Sequence, residues 1–461
     1  LPAWTSPHGP EALAADVAAA LAQHTRRGEW GAMIVSLTRR DTLFAQNPDA
    51  LMQPASTLKM YTAAAALDHF GPNYTFKTPV LRDAQVGADG TLNGNLYLRG
   101  VGDPSLTARF WHDEQPMDVL AKQVVAAGIR RVHGDIVGDA SAFDDQLVPA
   151  GWKTTYLGAA YAARVSALSL AENLVWVVVK PNGKSAQVTL EPATTTIPVE
   201  STVRLSGGSG GRISAVRRPD GTIAVRGTIG SGSGPLKYSL VVDNPPLFAA
   251  GALRASLQAA GVKIDGATRL GATPADAAEV AAIGSPPLGQ IVGEMDRESI
   301  NIFAELLFRA TGHATTKLVG SAESGLANLR DFLSQKVGAR ASSVDVADGS
   351  GLSLLDRVTP RSMVQLLGYS HLAEWGPVFH ASLPVDGESG TLRRRARGTP
   401  ARGNLHAKTG TTNTVAALGG YVTARNGEVL AFSLIYNGTD RGNAMAAMDR
   451  IGATMAEFIR D

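Results

Sequence analysis

QPASTLKMYTAAAAL (Gln53–Leu67) is the stretch on which the reading of this chain turns. Pro54-Ala55 closes an irregular segment, an alanine-rich apolar run follows, and Gly71-Pro72 stops it. This predicts a helix whose first turn holds Ser56 and Lys59. Residues three apart in a helix share a face, so the hydroxyl and the amine can meet. A neutral lysine can take a serine's proton if burial or another cation depresses its pKa, and the apolar neighbours Leu58, Met60 and Ala63 favour burial. The helix start adds N–H donors and a positive dipole end for a developing oxyanion. The same residues fit a plainer reading, in which Ser56 caps the helix and Lys59 points to water. In isolation the motif favours the plainer one.

Outward from this stretch the pattern is that of an α/β chain. Upstream, Leu13, Val17 and Leu21 recur every fourth residue and predict an amphipathic helix over residues 10–26. WGAMIVSLT (Trp30–Thr38) and TLFAQNP (Thr42–Pro48) flank a short charged turn and predict a hairpin. At the other end VAALGGYVTAR (Val415–Arg425) and GEVLAFSLIYNG (Gly427–Gly438) meet at the turn dipeptide Asn426-Gly427. A terminal helix is expected beyond them, with Met445, Met448, Met455 and Ile459 at core spacing. The middle differs, because SGGSGGR (Ser206–Arg212) and GSGSGP (Gly230–Pro235) break up short β-like runs. Helical patterns return at Pro246–Val262 and from Pro287 onward. The expected fold is an α/β (α+β) domain of residues 1–75 and 283–461, with helices and an antiparallel sheet, interrupted by a mainly β insert over residues 76–282.

Bulk composition excludes several functions. The 461 residues carry a net charge of only +2, which gives no electrostatic case for a nucleic-acid partner. With no cysteine in the chain, disulfides, thiolate nucleophiles and Cys-ligated metals are ruled out. No apolar run approaches the roughly 18 residues of a membrane span, so no transmembrane segment is expected. The opening LPAWTSPHGP lacks the layout of a secretion signal, as in a mature form from which one has been removed.

The glycine-rich middle also imitates catalytic motifs. GGSGG (Gly207–Gly211) spells G-x-S-x-G without the strand and helix that a nucleophile elbow requires. PNGKSAQ lacks the first glycine of a phosphate loop, where Val178 stands. The nine histidines form no paired metal spacing, so neither a metal nor a cofactor is expected. Asp135, Asp139, Asp144 and Asp145 lack the spacing of a calcium loop and read as turns and solvated strand ends, and RRRAR (Arg393–Arg397) reads as a solvated loop.

Two further motifs alter the reading of Ser56. Ser299-Ile300-Asn301 falls where one helical pattern hands over to another, so a hydroxyl and an amide can face one pocket. Lys408-Thr409-Gly410-Thr411 precedes the C-terminal strands and offers a cation, hydroxyls and a glycine that admits close backbone approach. Alone, the first reads as a helix cap and the second as a β-edge protected by a lysine. Together, Ser-x-x-Lys, Ser-x-Asn and Lys-Thr-Gly are the signature set of β-lactamases and penicillin-binding proteins.

On these motifs, and on YLRGVGDPSL, VHGDIVGDASAFD, SALSLAENLVWV, VADGSGLS and ASLPVDGESGTLRRR, the chain resembles the type C low-molecular-mass penicillin-binding proteins of the S13 peptidase family. These are D-Ala-D-Ala carboxypeptidases and endopeptidases, periplasmic or otherwise extracytoplasmic. The separation of Ser56 from Ser299 fits them, since in that class an insert forming two additional subdomains fills the gap. The resemblance implies that Ser56 is the acylated nucleophile, Lys59 its base, and Ser299 a donor to the leaving nitrogen. It implies that Asn301 holds the substrate amide, that Lys408, Thr409, Gly410 and Thr411 bind the terminal carboxylate, and that the N–H groups of Ser56 and Thr411 form the oxyanion hole. Asp144 is implied as a partner for the amine of a diaminopimelate side chain. Peptidoglycan stem peptides are the implied substrate and β-lactams the covalent inhibitors, with oligomeric state left open. Alternatives are a β-lactamase or esterase on the same fold, or a non-catalytic peptidoglycan or β-lactam binder. Two departures stand out: Ile300 where the class usually has a polar residue, and Leu354 where an arginine often follows DGSGLS, with Arg357 three later.

Overall fold

The structure, a computed structural model, describes residues 4–24 and 27–460. It divides into two compact units, the first made of Leu1–Tyr74, Pro149–Lys153 and Pro287–Asp461 and the second of Thr75–Val148 and Thr154–Pro286. Pro149–Lys153, which the sequence reading leaves in the insert, groups with the first unit. There Ala150 O accepts the Ser353 hydroxyl at 2.7 Å and Gly151 O accepts Leu354 N–H at 3.2 Å.

The first unit is built on a five-stranded antiparallel sheet. In chain order it contains α1 (Pro10–His24), β1 (Gly28–Ser36), β2 (Asp41–Gln46), α2 (Lys59–Phe70), α3 (Leu288–Glu298), α4 (Asn301–Thr316), α5 (Pro360–Leu372), β3 (His406–Thr411), β4 (Val415–Thr423), β5 (Val429–Gly438) and α6 (Arg441–Ala456). The strand order β3-β4-β5-β1-β2 places the chain's first hairpin beside its last strands and leaves β3 at an edge. Asn426-Gly427 makes the β4–β5 turn, Gly427 taking a φ of 85° that favours glycine.

Side chains alternate across a strand, so β1 serves two layers. Trp30, Ala32 and Ile34 join a core with Leu13, Val17, Met448, Ile451 and Met455 of α1 and α6, while Met33 lies beside Val364 of α5. Ile459, expected on the terminal helix, lies beyond its end and pairs with His8 instead. Residues 25 and 26, at the end of the expected first helix, lie outside the described residues. Helix α4 is apolar nearly all round, with Ile302 through Gly312 buried, the pattern of a helix inside a core.

In the second unit a mixed five-stranded sheet runs 268–270, 136–139, 96–99, 77–82, 278–284. Helices Pro116–Ala126 and Pro245–Ala259 accompany it, the first of them without a counterpart in the sequence reading. Three three-stranded sheets, one of them of two-residue strands, complete the unit, and PNGKSAQ is the turn of a hairpin within another of them. A hydrophobic cluster links Leu92, Leu98, Leu120, Val177, Val225 and Leu253 from these parts. Asp139, read as solvated, is 1% exposed and accepts N–H bonds from Ser141 and Thr273.

Candidate active site

Helix α2 is entered through one 3-10 turn, Ala55–Leu58, which carries Ser56. Ala55, just before it, is held at a φ of 47°, a conformation that costs a non-glycine residue energy and recurs at functional sites. Gly351 makes this possible, since a Cβ there would collide with the Ala55 carbonyl oxygen. Gln53 and Asn437 clamp the approach, Gln53 N donating to Asn437 Oδ1 at 2.8 Å and Asn437 Nδ2 returning to Gln53 O at 3.1 Å. No side chain caps either the turn or α2, so Ser56 is not a cap.

Its hydroxyl instead accepts from Lys59 Nζ at 3.1 Å. Lys59 does not reach water: it is fully buried, and Nζ also donates to Asn301 Oδ1 at 2.6 Å and Ser350 O at 2.8 Å. Those two partners can only accept, and they take two of the nitrogen's protons. The third position faces Ser56, so the neutral amine turns its lone pair to the serine proton. Burial brings the Lys59 pKa down to about 8, against the attraction of Asp348, Glu305, Asp296 and Asp356. The free base is therefore within easier reach at neutral pH than in an exposed lysine.

The joint between α3 and α4 supplies the second group. Ser299 ends α3 in the left-handed conformation and Asn301 opens α4, which sends Asn301 to Lys59 while the Ser299 hydroxyl accepts from Lys408 Nζ at 2.9 Å. Lys408 lies on edge strand β3 and is fully buried. Burial first, and the nearby Lys59 second, push its pKa down, with Asp296 opposing. Thr409 Oγ1 meets Thr391 Oγ1 at 2.8 Å, and Thr411 is exposed at the strand end. A Cβ on Gly410 would lie 2.5 Å from Pro54 O and 3.1 Å from Ser56 N, so β3 passes in contact with the serine turn only because residue 410 lacks a side chain. The first N–H groups of a helical turn have no acceptor within it, and an edge strand leaves one row of amides without a neighbouring strand. Ser56 and Thr411 occupy two such places.

Sequence reasoning missed the carboxyl groups behind the lysine. Asp348, fully buried, accepts N–H bonds from Ser350, Gly351 and Ser353 at 3.0, 2.7 and 2.8 Å and the Trp152 indole N–H at 2.7 Å. This shapes the loop so that Ser350 O faces Lys59, while Thr62 Oγ1 ties Gly349 O to α2. Glu305 of α4 accepts Gly349 N at 3.2 Å, and burial with the Asp348 charge brings its pKa up to about 8. The same two causes hold Asp356 well above the carboxylate range. The signal present in the sequence was DGSGLS itself, an aspartate followed by small residues whose N–H groups it can gather.

The remaining expected residues are placed as follows. Asp144 belongs to the second unit, where with Phe143, Asp145 and Asn244 it lines a cavity of about 320 Å³. Ile300 is buried. Arg357 gives its guanidinium to the carbonyls of Leu354 and Asp356. Within RRRAR, Arg395 pairs with Asp449 rather than being solvated. Among the described residues no group of three or more His, Asp or Glu is arranged for a metal ion.

A serine bonded to a buried lysine amine, with a second serine–lysine pair beside an edge strand, is the arrangement of a serine acyl-transferase of the β-lactamase and penicillin-binding class. Comparison with known proteins narrows the class. The chain belongs to the D-Ala-D-Ala carboxypeptidase 3 (S13) family, whose sequence model matches residues 13–457. It is 33% identical over 446 residues to a D-alanyl-D-alanine carboxypeptidase of Actinomadura sp. (strain R39), covering 93% of this chain and 81% of that one. It is 27% identical over 438 residues to D-alanyl-D-alanine carboxypeptidase DacB of Haemophilus influenzae, covering 94% and 89%. The crystal structure of penicillin binding protein 4 from Haemophilus influenzae superposes with a TM-score of 0.79 at 26% identity, over 94% of this chain and 98% of that one. A structure of that protein complexed with a β-lactam gives 0.73 at 25% identity, over 94% and 97%.

Proposed function

We propose that this chain removes the terminal D-alanine from D-Ala-D-Ala stem peptides of peptidoglycan, through an ester on Ser56. The observation that carries the proposal is the Lys59 amine, buried and bonded at once to Ser56 and Asn301. Lys59 takes the Ser56 proton as Oγ bonds to the carbonyl carbon of the penultimate residue, and the oxyanion lies between the N–H groups of Ser56 and Thr411. Asn301 holds the peptide amide, and Lys408 with Thr409 and Thr411 receives the terminal carboxylate. As the C–N bond breaks, the leaving nitrogen takes a proton from the Ser299 hydroxyl, which Lys408 replenishes. The proton Lys59 took from Ser56 then makes good the one Lys408 gave up, so Lys59 is again a free amine; it takes a proton from water as the water oxygen bonds to the ester carbonyl carbon and passes it to Ser56 Oγ as the C–O bond breaks, which restores Ser56.

A D-Ala-diaminopimelate crosslink is a further substrate of the Ser56 site. β-Lactams acylate Ser56 in place of the peptide. Such a substrate places the enzyme outside the cytoplasm, and among the described residues no helix is long and apolar enough to cross a membrane. D-Alanine release from a peptide ending in D-Ala-D-Ala tests the reading. Wild type turns the peptide over and Ser56→Ala does not; release by the variant at the wild-type rate would remove Ser56 from the mechanism.

A further inference from the structure

A cavity of about 610 Å³ in the second unit takes no part in the chemistry above. Its volume falls within the roughly 300–1,000 Å³ of pockets that hold small organic ligands. Trp176, in strand Leu174–Asn182, forms part of its wall and is 39% exposed, although Val175 and Val177 on either side are buried. Ser239 and Glu191 are its partners on the adjacent strands, so no apolar residue stands opposite it in the ladder. A small β-branched residue would suit this strand without setting an indole in water.

The charges around the indole cancel. Arg109 pairs with Glu172 at 2.6 Å and Lys237 with Glu191 at 2.6 Å, two cations against two carboxylates. Such a wall has no net field to select a phosphate or an ammonium, yet it presents fixed donors and acceptors around an apolar plate. The backbone beside it is unusual too. Ala171, Glu172 and Asn173 follow one another with φ of 52°, 58° and 56°, and none is glycine. The Asn173 amide holds this conformation, accepting from Leu170 N–H and donating to Arg164 O and Ser169 Oγ. Strain so over-determined clusters where ligands are held. Here it sets the Glu172 carboxylate against Arg109 Nε at 2.6 Å and Thr107 Oγ1 at 3.0 Å.

We propose that this cavity binds the glycan strand of peptidoglycan. The ligand class is a chain of N-acetylated sugars whose carboxyl groups are consumed in the amide links to the stem peptides. It has apolar ring faces to stack on Trp176, hydroxyl and amide groups to meet the paired side chains, and no net charge of its own. The assignment rests on the reading of the chain as a peptidoglycan peptidase.

The test uses full-length wild type, Trp176→Ala and Trp176→Phe, each with its unfolding transition recorded. Binding to glycan strands stripped of peptide, with the freed lactyl carboxyls capped as methylamides so that the strand stays neutral, is measured first. D-Alanine release from a strand-borne pentapeptide is then compared with release from the same pentapeptide free. Wild type binds the stripped strands, Trp176→Ala binds them about tenfold more weakly, and Trp176→Phe stays closer to wild type. The ratio of strand-borne to free turnover falls by a similar factor in Trp176→Ala. Equal binding by the alanine variant, no binding by wild type, or capture of free stem peptide in place of glycan overturns the assignment. Absence of D-alanine release by wild type from both substrates would instead overturn the peptidase reading, while the stripped-strand result still decides the cavity.

Discussion

Lys59 has three acceptors and a pKa brought down to about 8, and in the proposed mechanism its protonation sets the pH dependence of acylation. With the free amine as the active form in that mechanism, the rate constant for acylation should rise with pH, reach half its limit near pH 8 and level off above it. A stopped-flow pH profile with a chromogenic β-lactam checks this. Lys59→Met should lower that constant by about 10²–10⁴-fold, the range for loss of a positioned base. Asp348 supplies the largest attraction holding the Lys59 pKa up. Asp348→Asn removes that attraction, so the rising limb should move to lower pH, and loss of the carboxylate's hydrogen bonds should cost about 3 kcal/mol of stability in denaturant titration. At this scale the motifs picked out Ser56 and Lys59, which the fold brings within 3.1 Å, and the apolar neighbours pointed to a buried lysine without showing which carboxyls surround it. Ser56 and Lys59 share one turn, but the carboxyls that tune the lysine come from positions 296, 305, 348 and 356, which no local pattern joins.

Two elements meet at the site through positions without a side chain. Gly410 lets β3 lie against the serine turn, so Gly410→Ala should push the strand away and lower β-lactam acylation by about 10²–10³-fold, as for loss of an oxyanion donor. Helix α4 carries Glu305 in a pH-dependent role. Its pKa is up at about 8 against an ordinary value of 4.5, so between these values the folded protein holds a proton that the unfolded chain has lost. Stability contributed by this group therefore falls as pH rises through that window. Glu305→Gln should flatten this part of the curve, which thermal melts across the window would reveal. Helix and strand positions were legible from periodicity and turn dipeptides, as at β4 and β5. The strained Ala55 was not, because alanine gives no local signal of a left-handed conformation that packing against Gly351 imposes.

For the whole molecule, motif order and the resemblance carried the reading of family and fold, while the division of the chain was legible only in outline. The return of Pro149–Lys153 to the first unit escaped it, since five residues leave no compositional mark; what holds them there is long-range, including the Trp152 bond to Asp348. The helix over Pro116–Ala126 escaped it as well, masked by the β-like texture around it. The second unit has a hydrophobic cluster of its own, in which Leu98 is fully buried. Leu98→Ala should cost that unit about 2–5 kcal/mol in denaturant titration, and the rate of acylation at Ser56 in the folded fraction should stay at the wild-type value. The measurement that bears most directly on the central claim is intact-mass and peptide-mapping mass spectrometry after brief exposure to benzylpenicillin. The account predicts one adduct per chain, on the peptide that contains Ser56, forming faster as pH approaches 8 and absent in Ser56→Ala. No adduct on wild type, or an adduct that persists in Ser56→Ala, would contradict it.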